Sequence, residues 1–282
     1  MATYTTLIEV EDLFAHFNHP DWVVVDCRFD LTNPEWGFKD YQQGHIPGSV
    51  YAHLDHDLSA APTPSTGRHP LPSPSDFART LERLGISNHS QVIALDTTGG
   101  SFAARLWWLL KWLGHSSVAV LNGGWNAWKS AGYPVAQGIE TRPHGAFIPH
   151  PQSGMVVTTA EMLATLTDSS FKIIDARSPE RYRGEFEPID PVAGHIPGSI
   201  NRFHEKNITR GGKLKPPEIL RQEFEEILKD TPPEQVIVYC GSGVTSCHHL
   251  LAMEYAGIQG AKLYAGSWSE WIRDPNRPIE LG

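Results

Sequence analysis

Gly44-His45-Ile46-Pro47-Gly48-Ser49 recurs letter for letter as Gly194-His195-Ile196-Pro197-Gly198-Ser199, 150 residues later. The match extends outward from both copies. Val23-Val24-Val25-Asp26-Cys27-Arg28 precedes the first, and Ile173-Ile174-Asp175-Ala176-Arg177 precedes the second. Each copy is followed by another apolar run, Val92-Ile93-Ala94-Leu95-Asp96 or Val236-Ile237-Val238-Tyr239-Cys240. Each half then closes on a tryptophan pair, in Asn122-Gly123-Gly124-Trp125-Asn126-Ala127-Trp128 and Ala265-Gly266-Ser267-Trp268-Ser269-Glu270-Trp271. Four matches in one order at a near-constant offset indicate a duplicated domain, because the period is far too long for a solenoid repeat.

The length agrees: 282 residues at about 150 per domain predict two domains. Pro134 to Gly154 is rich in Pro and Gly and lacks periodicity, so it reads as a linker. The expected division is a first domain over 1–135, a linker over 136–154 and a second domain over 155–282. The β-branched runs end in Asp or Cys, as buried parallel strands do. Helices are expected over Ser75 to Leu84, Phe102 to Leu113, Thr159 to Leu166, Pro217 to Leu228 and Ser246 to Ala256, with Ser75 and Thr159 as N-caps. Strands alternating with helices predict an α/β fold with a mainly parallel sheet in each half.

The 23 basic and 32 acidic residues give a formal net charge of −9. That balance excludes whole-surface attraction to nucleic acid or an anionic membrane, so an anionic ligand needs a local positive site. The apolar stretch Leu106 to Leu113 is interrupted by Lys111 and is too short to span a bilayer. Met1 to Phe14 has neither a basic n-region nor a continuous apolar h-region. Three cysteines, Cys27, Cys240 and Cys247, imply no disulfide framework. The expectation is a cytoplasmic protein with reduced thiols.

One cysteine stands apart. In Cys240-Gly241-Ser242-Gly243-Val244-Thr245-Ser246-Cys247 a buried strand delivers Cys240 to its carboxyl end, two glycines follow, and a helix begins. Gly241 and Gly243 allow backbone N–H groups to turn inward. The helix adds its unpaired amides and positive dipole end. Such a cradle suits an anion held on sulfur, and the same field favours the thiolate. Cys240 is therefore the expected nucleophile, whereas Cys247, inside the helix, is expected to pack against the sheet. A metal site from Cys240, Cys247, His248 and His249 is disfavoured, because adjacent histidines diverge on a helix. A cysteine phosphatase requires Arg at position 246 to clamp the phosphoryl group, and Ser246 stands there.

The tandem halves, the paired Asp-x-Arg and Gly-His-Ile-Pro-Gly-Ser segments, the closing Gly-x-Trp-x-x-Trp and the Cys-Gly-Ser-Gly-Val-Thr loop together resemble two-domain rhodanese-type sulfurtransferases over nearly the whole chain. The resemblance implies two rhodanese folds. The first is non-catalytic, with Asp96 at the cysteine position, and supplies one wall of the cleft. It implies double displacement: the Cys240 thiolate takes a sulfane sulfur from a small anionic donor and passes it to cyanide or a thiol, a protein thiol included. Amides of Gly241, Ser242, Gly243, Val244 and Thr245 would stabilise the persulfide. No metal or organic cofactor is implied. A sulfur-relay module serving a protein partner is the reading of another class.

The neutral loop matches mercaptopyruvate enzymes of the family rather than thiosulfate enzymes, which carry basic residues there. Arg181, in Arg181-Tyr182, matches the family's substrate-binding arginine, and Arg183 is a second candidate. Ser242, His69 and Asp55 match a Ser-His-Asp relay that would protonate the developing enolate. One departure is Glu187-Pro188-Ile189-Asp190, where Ile189 replaces a second arginine unless Arg183 or Arg202 substitutes. Residues present in both halves are read as fold determinants instead: Asp26, Arg28, Asp175, Arg177, His45, His195 and the tryptophans Trp125, Trp128, Trp268 and Trp271.

Overall fold

A computed structural model describes residues 3–282, so Met1 and Ala2 of the expected first domain lie outside the described residues. The chain divides into two compact units. The first comprises residues up to Ala60, Pro72–Gln152 and Thr209–Leu214; the second comprises Ala61–Leu71, Ser153–Ile208 and Lys215–Gly282.

The first unit runs β1 (Leu7–Ile8), α1 (Val10–His16), β2 (Trp22–Asp26), α2 (Trp36–Gln43), β3 (Val50–Tyr51), α3 (Pro74–Arg83), β4 (Gln91–Leu95), α4 (Ala103–Trp112), β5 (Val118–Leu121) and α5 (Gly124–Ser130). The second repeats it as β6 (Val156–Val157), α6 (Thr159–Thr165), β7 (Lys172–Asp175), α7 (Pro179–Tyr182), β8 (Ile200–Asn201), α8 (Pro217–Leu228), β9 (Val236–Tyr239), α9 (Thr245–Tyr255), β10 (Lys262–Tyr264) and α10 (Ser267–Trp271). Among the described residues each unit holds a five-stranded sheet, ordered β1-β5-β4-β2-β3 or β6-β10-β9-β7-β8, with parallel pairing throughout. The order is the same in both, as duplication requires. Strands β2, β4 and β5 are buried along their whole length, which is why they read as unbroken apolar runs.

The repeated motifs bind one another. Asp175 and Arg177 form a buried ion pair, with Nη2 to Oδ2 at 2.7 Å, and the same Nη2 donates to the Gly194 carbonyl at 2.7 Å. The guanidinium lies 4.8 Å from the Trp268 ring. In the first unit Arg28 does the same with Asp26, the Gly44 carbonyl and the Trp125 ring. Asp-x-Arg, the first glycine of Gly-His-Ile-Pro-Gly-Ser and the first tryptophan of the closing motif are thus one assembly. His45 and His195 extend it. Each stacks on a tyrosine, Tyr41 or Tyr182, and bonds that tyrosine's carbonyl through Nδ1 at 2.8 Å. Each also pairs its backbone with a distant segment, at Ala136 or Glu280.

Removing one partner of such a pair leaves a buried charge uncompensated. Arg177→Leu, which strands Asp175, is expected to lower unfolding free energy by about 3–5 kcal/mol. A downward shift in the urea midpoint at unchanged slope checks this.

Two N-caps sit slightly earlier than expected. Ser73, not Ser75, caps α3, because Pro74 takes the first helical position, where its missing N–H is harmless. Thr158, not Thr159, caps α6, in a reciprocal capping box with Glu161. The expected linker is not a free tether. Gly145 donates to the Glu82 carbonyl and His150 to the Leu113 carbonyl, so residues as far as Gln152 pack on the first unit. Among the described residues no helix is long and apolar enough to cross a membrane.

Candidate active site

Strand β9 ends at Tyr239 and delivers Cys240 to the carboxyl edge of the second sheet. The residue is 2% exposed. Its backbone is tied at both ends: its N–H donates to Ser267 Oγ at 3.1 Å, and its carbonyl accepts from the Trp268 N–H at 3.0 Å. Ser267 holds a left-handed φ of 54° and donates its own hydroxyl to the Tyr264 carbonyl at 3.0 Å. Gly243 is required as glycine. Its φ is +78°, and a Cβ would lie 2.3 Å from the Ala265 carbonyl oxygen.

Burial alone would push the Cys240 thiol up. The hydroxyls of Thr245 and Ser246 and the backbone N–H groups of Ser242 and Ser246 hold it below the ordinary cysteine value instead. The Ser246 hydroxyl stands 3.5 Å from the sulfur. Ser246, notable in the sequence only as the absence of an arginine, therefore supplies two donors. Of the expected amide donors at 241–245, the Ser242 N–H is the one directed at the sulfur, and Thr245 contributes through its hydroxyl.

The first unit shows what this loop geometry holds. Asp96 occupies the equivalent position, and its carboxylate accepts four backbone N–H bonds, from Thr98, Gly100, Phe102 and Ala103, at 2.8–2.9 Å. Two of these donors, Thr98 and Phe102, correspond to Ser242 and Ser246. The loop is an anion nest, filled by a carboxylate in one unit and facing the Cys240 sulfur in the other.

Residues 61–71 belong to the second unit and run beside this loop. His69 Nδ1 lies 2.7 Å from Ser242 Oγ, and both residues are buried. The adjacent Arg68 pairs with Asp190. Asp190 also accepts from Arg181 at 3.1 Å, and Arg181 in turn bonds both oxygens of Glu187. Arg181 stands where the first unit has Asp40, which there serves the buried Arg28. In the second unit Glu187 takes over that service for Arg177 at 3.4 Å, leaving position 181 open to a cation.

The other expected residues fall as follows. Gly241 gives its carbonyl to the Ser269 N–H at 2.9 Å, and Val244 gives its carbonyl to the Cys247 N–H at 3.0 Å. Arg183 pairs with Glu185, its side chain 40% exposed. Arg202 is no substitute for the arginine missing at 189, because it is buried against Glu223, Asn207 and His249. Asp55 lies half-buried in the first unit, where its N–H donates to His53 Nδ1 at 3.1 Å. The second unit by itself holds two members of the expected relay, Ser242 and His69. Cys247 is buried and donates its thiol to the Gly243 carbonyl at 3.3 Å. Arg68 was not foreseen. Its only sequence signal is its place beside His69.

A family model described as rhodanese-like domain matches residues 9–131 and again 158–274. The chain belongs to the rhodanese-like family. Its two rhodanese domains resemble those of a "Probable 3-mercaptopyruvate sulfurtransferase" from Pseudomonas aeruginosa, 45% identical over 98% of both chains. They also resemble a thiosulfate sulfurtransferase from Bos taurus, 35% identical over 90% of this chain and 86% of that one. Among solved structures, SseA from Escherichia coli, described as a 3-mercaptopyruvate sulfotransferase with a rhodanese fold, superposes with a TM-score of 0.82. It is 31% identical, over 95% of this chain and all of that one.

A lowered thiol pKa in this rhodanese loop has a direct consequence. A larger fraction of Cys240 is thiolate at any given pH, and reactivity is lost only as pH falls through the lowered value. The rate of alkylation by iodoacetamide, followed at Cys240 by mass spectrometry, should titrate with a midpoint below that of free cysteine. Ser246→Ala removes a donor and should move the midpoint upward. Cys27 should stay unreactive across the range, because burial and the nearby carboxylates of Asp26, Asp96 and Asp57 push its thiol up.

Proposed function

We propose that this sulfurtransferase carries sulfur on Cys240 and takes it chiefly from 3-mercaptopyruvate. The observation that carries the reading is the Cys240 sulfur in an amide and hydroxyl nest with the Ser242–His69 pair directly beside it. The thiolate attacks the donor's sulfur, and an Sγ–S bond forms as the carbon–sulfur bond breaks. The electron pair of that bond passes to carbon, giving the enolate of pyruvate. Enolate formation is eased by a proton source at the reacting carbon, and in this reading Ser242 backed by His69 supplies it. The products are pyruvate and a Cys240 persulfide. A thiolate or cyanide then attacks the outer sulfur, the Sγ–S bond breaks, and the Cys240 thiolate is restored. Through both steps the nest holds one negative charge on or next to sulfur, without reorganising.

Thiosulfate is the second donor to weigh, since relatives carry either name. Its reaction leaves sulfite, whose departure requires no proton on carbon, so the Ser242–His69 pair favours the mercaptopyruvate reading. Comparing kcat/KM for the two donors with one common acceptor tests the preference. A higher value for 3-mercaptopyruvate is expected, and a higher value for thiosulfate overturns it. The acceptor is a thiol or cyanide, with a protein thiol included in the proposal.

A further inference from the structure

Segment 61–71 is exposed over 61–65 and then seats itself, with Gly67 and His69 buried. Four consecutive residues find partners in the rest of the second unit. The Thr66 carbonyl accepts from Arg273 Nε at 3.1 Å, and the Gly67 N–H donates to Glu270 Oε2 at 3.3 Å. The Arg68 N–H donates to Ser269 Oγ at 3.1 Å, and His69 Nδ1 lies 2.7 Å from Ser242 Oγ. Ser269 and Glu270 lie on α10, and Arg273 follows it. The seating is close. A Cβ on Gly67 would lie 2.7 Å from the Gly266 carbonyl oxygen and 2.8 Å from Ser269 Oγ.

Ser269 serves two chains at once. Its N–H donates to the Gly241 carbonyl at 2.9 Å, while its Oγ accepts from Arg68. Gly241 is bonded to Ser242, and Arg68 is bonded to His69. Ser269, Gly241, Ser242, His69 and Arg68 therefore close one ring, whose third hydrogen bond is the Ser242–His69 contact itself. Ser269 is 2% exposed, and its hydroxyl directs its proton to the Gly266 carbonyl at 3.5 Å, which leaves a lone pair for Arg68. Glu270 is held too: its other oxygen accepts from the Thr159 hydroxyl.

The duplication shows what is special here. Ser269 and Glu270 stand where the first unit has Asn126 and Ala127. Asn126 donates to the Thr97 carbonyl of its own loop at 3.4 Å, and Ala127 has no side-chain acceptor. The flanking tryptophans are the same in both copies and buried in both. We propose that Ser269 and Glu270 are positioning residues, a brace that sets segment 66–69 in register with the Cys240 loop so that His69 meets Ser242. In the second copy the positions between the tryptophans have been turned from packing to alignment. The proposal rests on the Ser242–His69 pair handling the proton in the reaction with 3-mercaptopyruvate.

The test uses Ser269→Ala, Glu270→Ala and Glu270→Gln in the full chain. Ser269→Ala removes the acceptor for Arg68 and keeps the N–H to Gly241. It should lower kcat with 3-mercaptopyruvate by about 10- to 100-fold, the cost of misplacing a reacting group by about 1 Å. KM for that donor, and turnover of thiosulfate, should stay within about threefold of wild type. Amide hydrogen exchange in the peptide spanning 66–69 should quicken, while exchange in the sheet strands holds. Because the brace acts through His69, adding Ser269→Ala to His69→Ala should cost nothing further. Glu270→Ala should lose about 5- to 10-fold in the same kcat, the worth of one hydrogen bond, and Glu270→Gln, which keeps an acceptor oxygen, should recover it. That pair carries the test if the alanine protein at 269 does not fold. Turnover of 3-mercaptopyruvate within about threefold of wild type in Ser269→Ala and Glu270→Ala overturns the brace. An equal loss with thiosulfate, or a double variant slower than His69→Ala, also overturns it. A His69→Ala protein at the wild-type rate overturns the proton-handling reading and the brace with it. A slow His69→Ala protein beside a full-rate Ser269→Ala protein overturns the brace alone.

Discussion

Cys240→Ser is expected to abolish sulfur transfer from every donor, a loss of at least about 10⁴-fold in kcat/KM, while the protein stays folded. A serine hydroxyl at that position is not ionised near neutral pH and cannot hold a sulfane sulfur reversibly. Incubation of wild-type protein with donor should add one sulfur atom to the peptide containing Cys240, and the serine protein should gain none. The fold should survive, because what fixes the loop is its backbone: the Cys240 N–H to Ser267, the Cys240 carbonyl to Trp268 and the Gly241 carbonyl to Ser269. Cys240→Asp sharpens the test. The first unit already holds a carboxylate in the equivalent nest, on four N–H donors from 2.8 to 2.9 Å. Aspartate at 240 should therefore give an inactive protein that unfolds at no lower urea concentration than Cys240→Ser. Residual transfer by either variant would place the sulfur carrier elsewhere.

What could be read from the sequence was what is local or repeated. The duplication was legible because its motifs are one physical assembly built twice: Arg177 holds Asp175, the Gly194 carbonyl and the Trp268 face, so each of these motifs needs the others in place. Cys240 was legible because a strand, two glycines and a helix start are contiguous. Ser246 was undervalued for a local reason. By spacing it stands out only as a missing arginine, although a helix-start hydroxyl and amide are themselves donors to the loop residue they follow. Arg68 was missed because its meaning is not local. Its partner Asp190 is 122 residues away, and no spacing rule links them. The exchange of segments 61–71 and 209–214 between the two units was equally hidden, because a boundary read from composition assumes that each domain is continuous in the chain.

Ser242→Ala and His69→Ala should each lower kcat with 3-mercaptopyruvate by about 10²- to 10⁴-fold, the range for losing a positioned proton-transfer group. The reason lies in the bond that breaks. When carbon is the leaving atom its electron pair needs a proton or an equivalent stabilisation; when sulfite leaves thiosulfate it does not. Both variants should therefore transfer sulfur from thiosulfate at rates within about threefold of wild type. The 2.7 Å contact between Ser242 Oγ and His69 Nδ1 makes the pair a unit, so the double variant should be no slower than the worse single one. Steady-state rates with both donors, measured on all three variants, decide the matter. A deficit common to both donors would mean that the pair only shapes the loop, whose Ser242 N–H is one of the groups favouring the Cys240 thiolate. The midpoint of Cys240 alkylation separates these cases: it should hold in the variants if the pair handles the proton, and rise if the pair only shapes the nest.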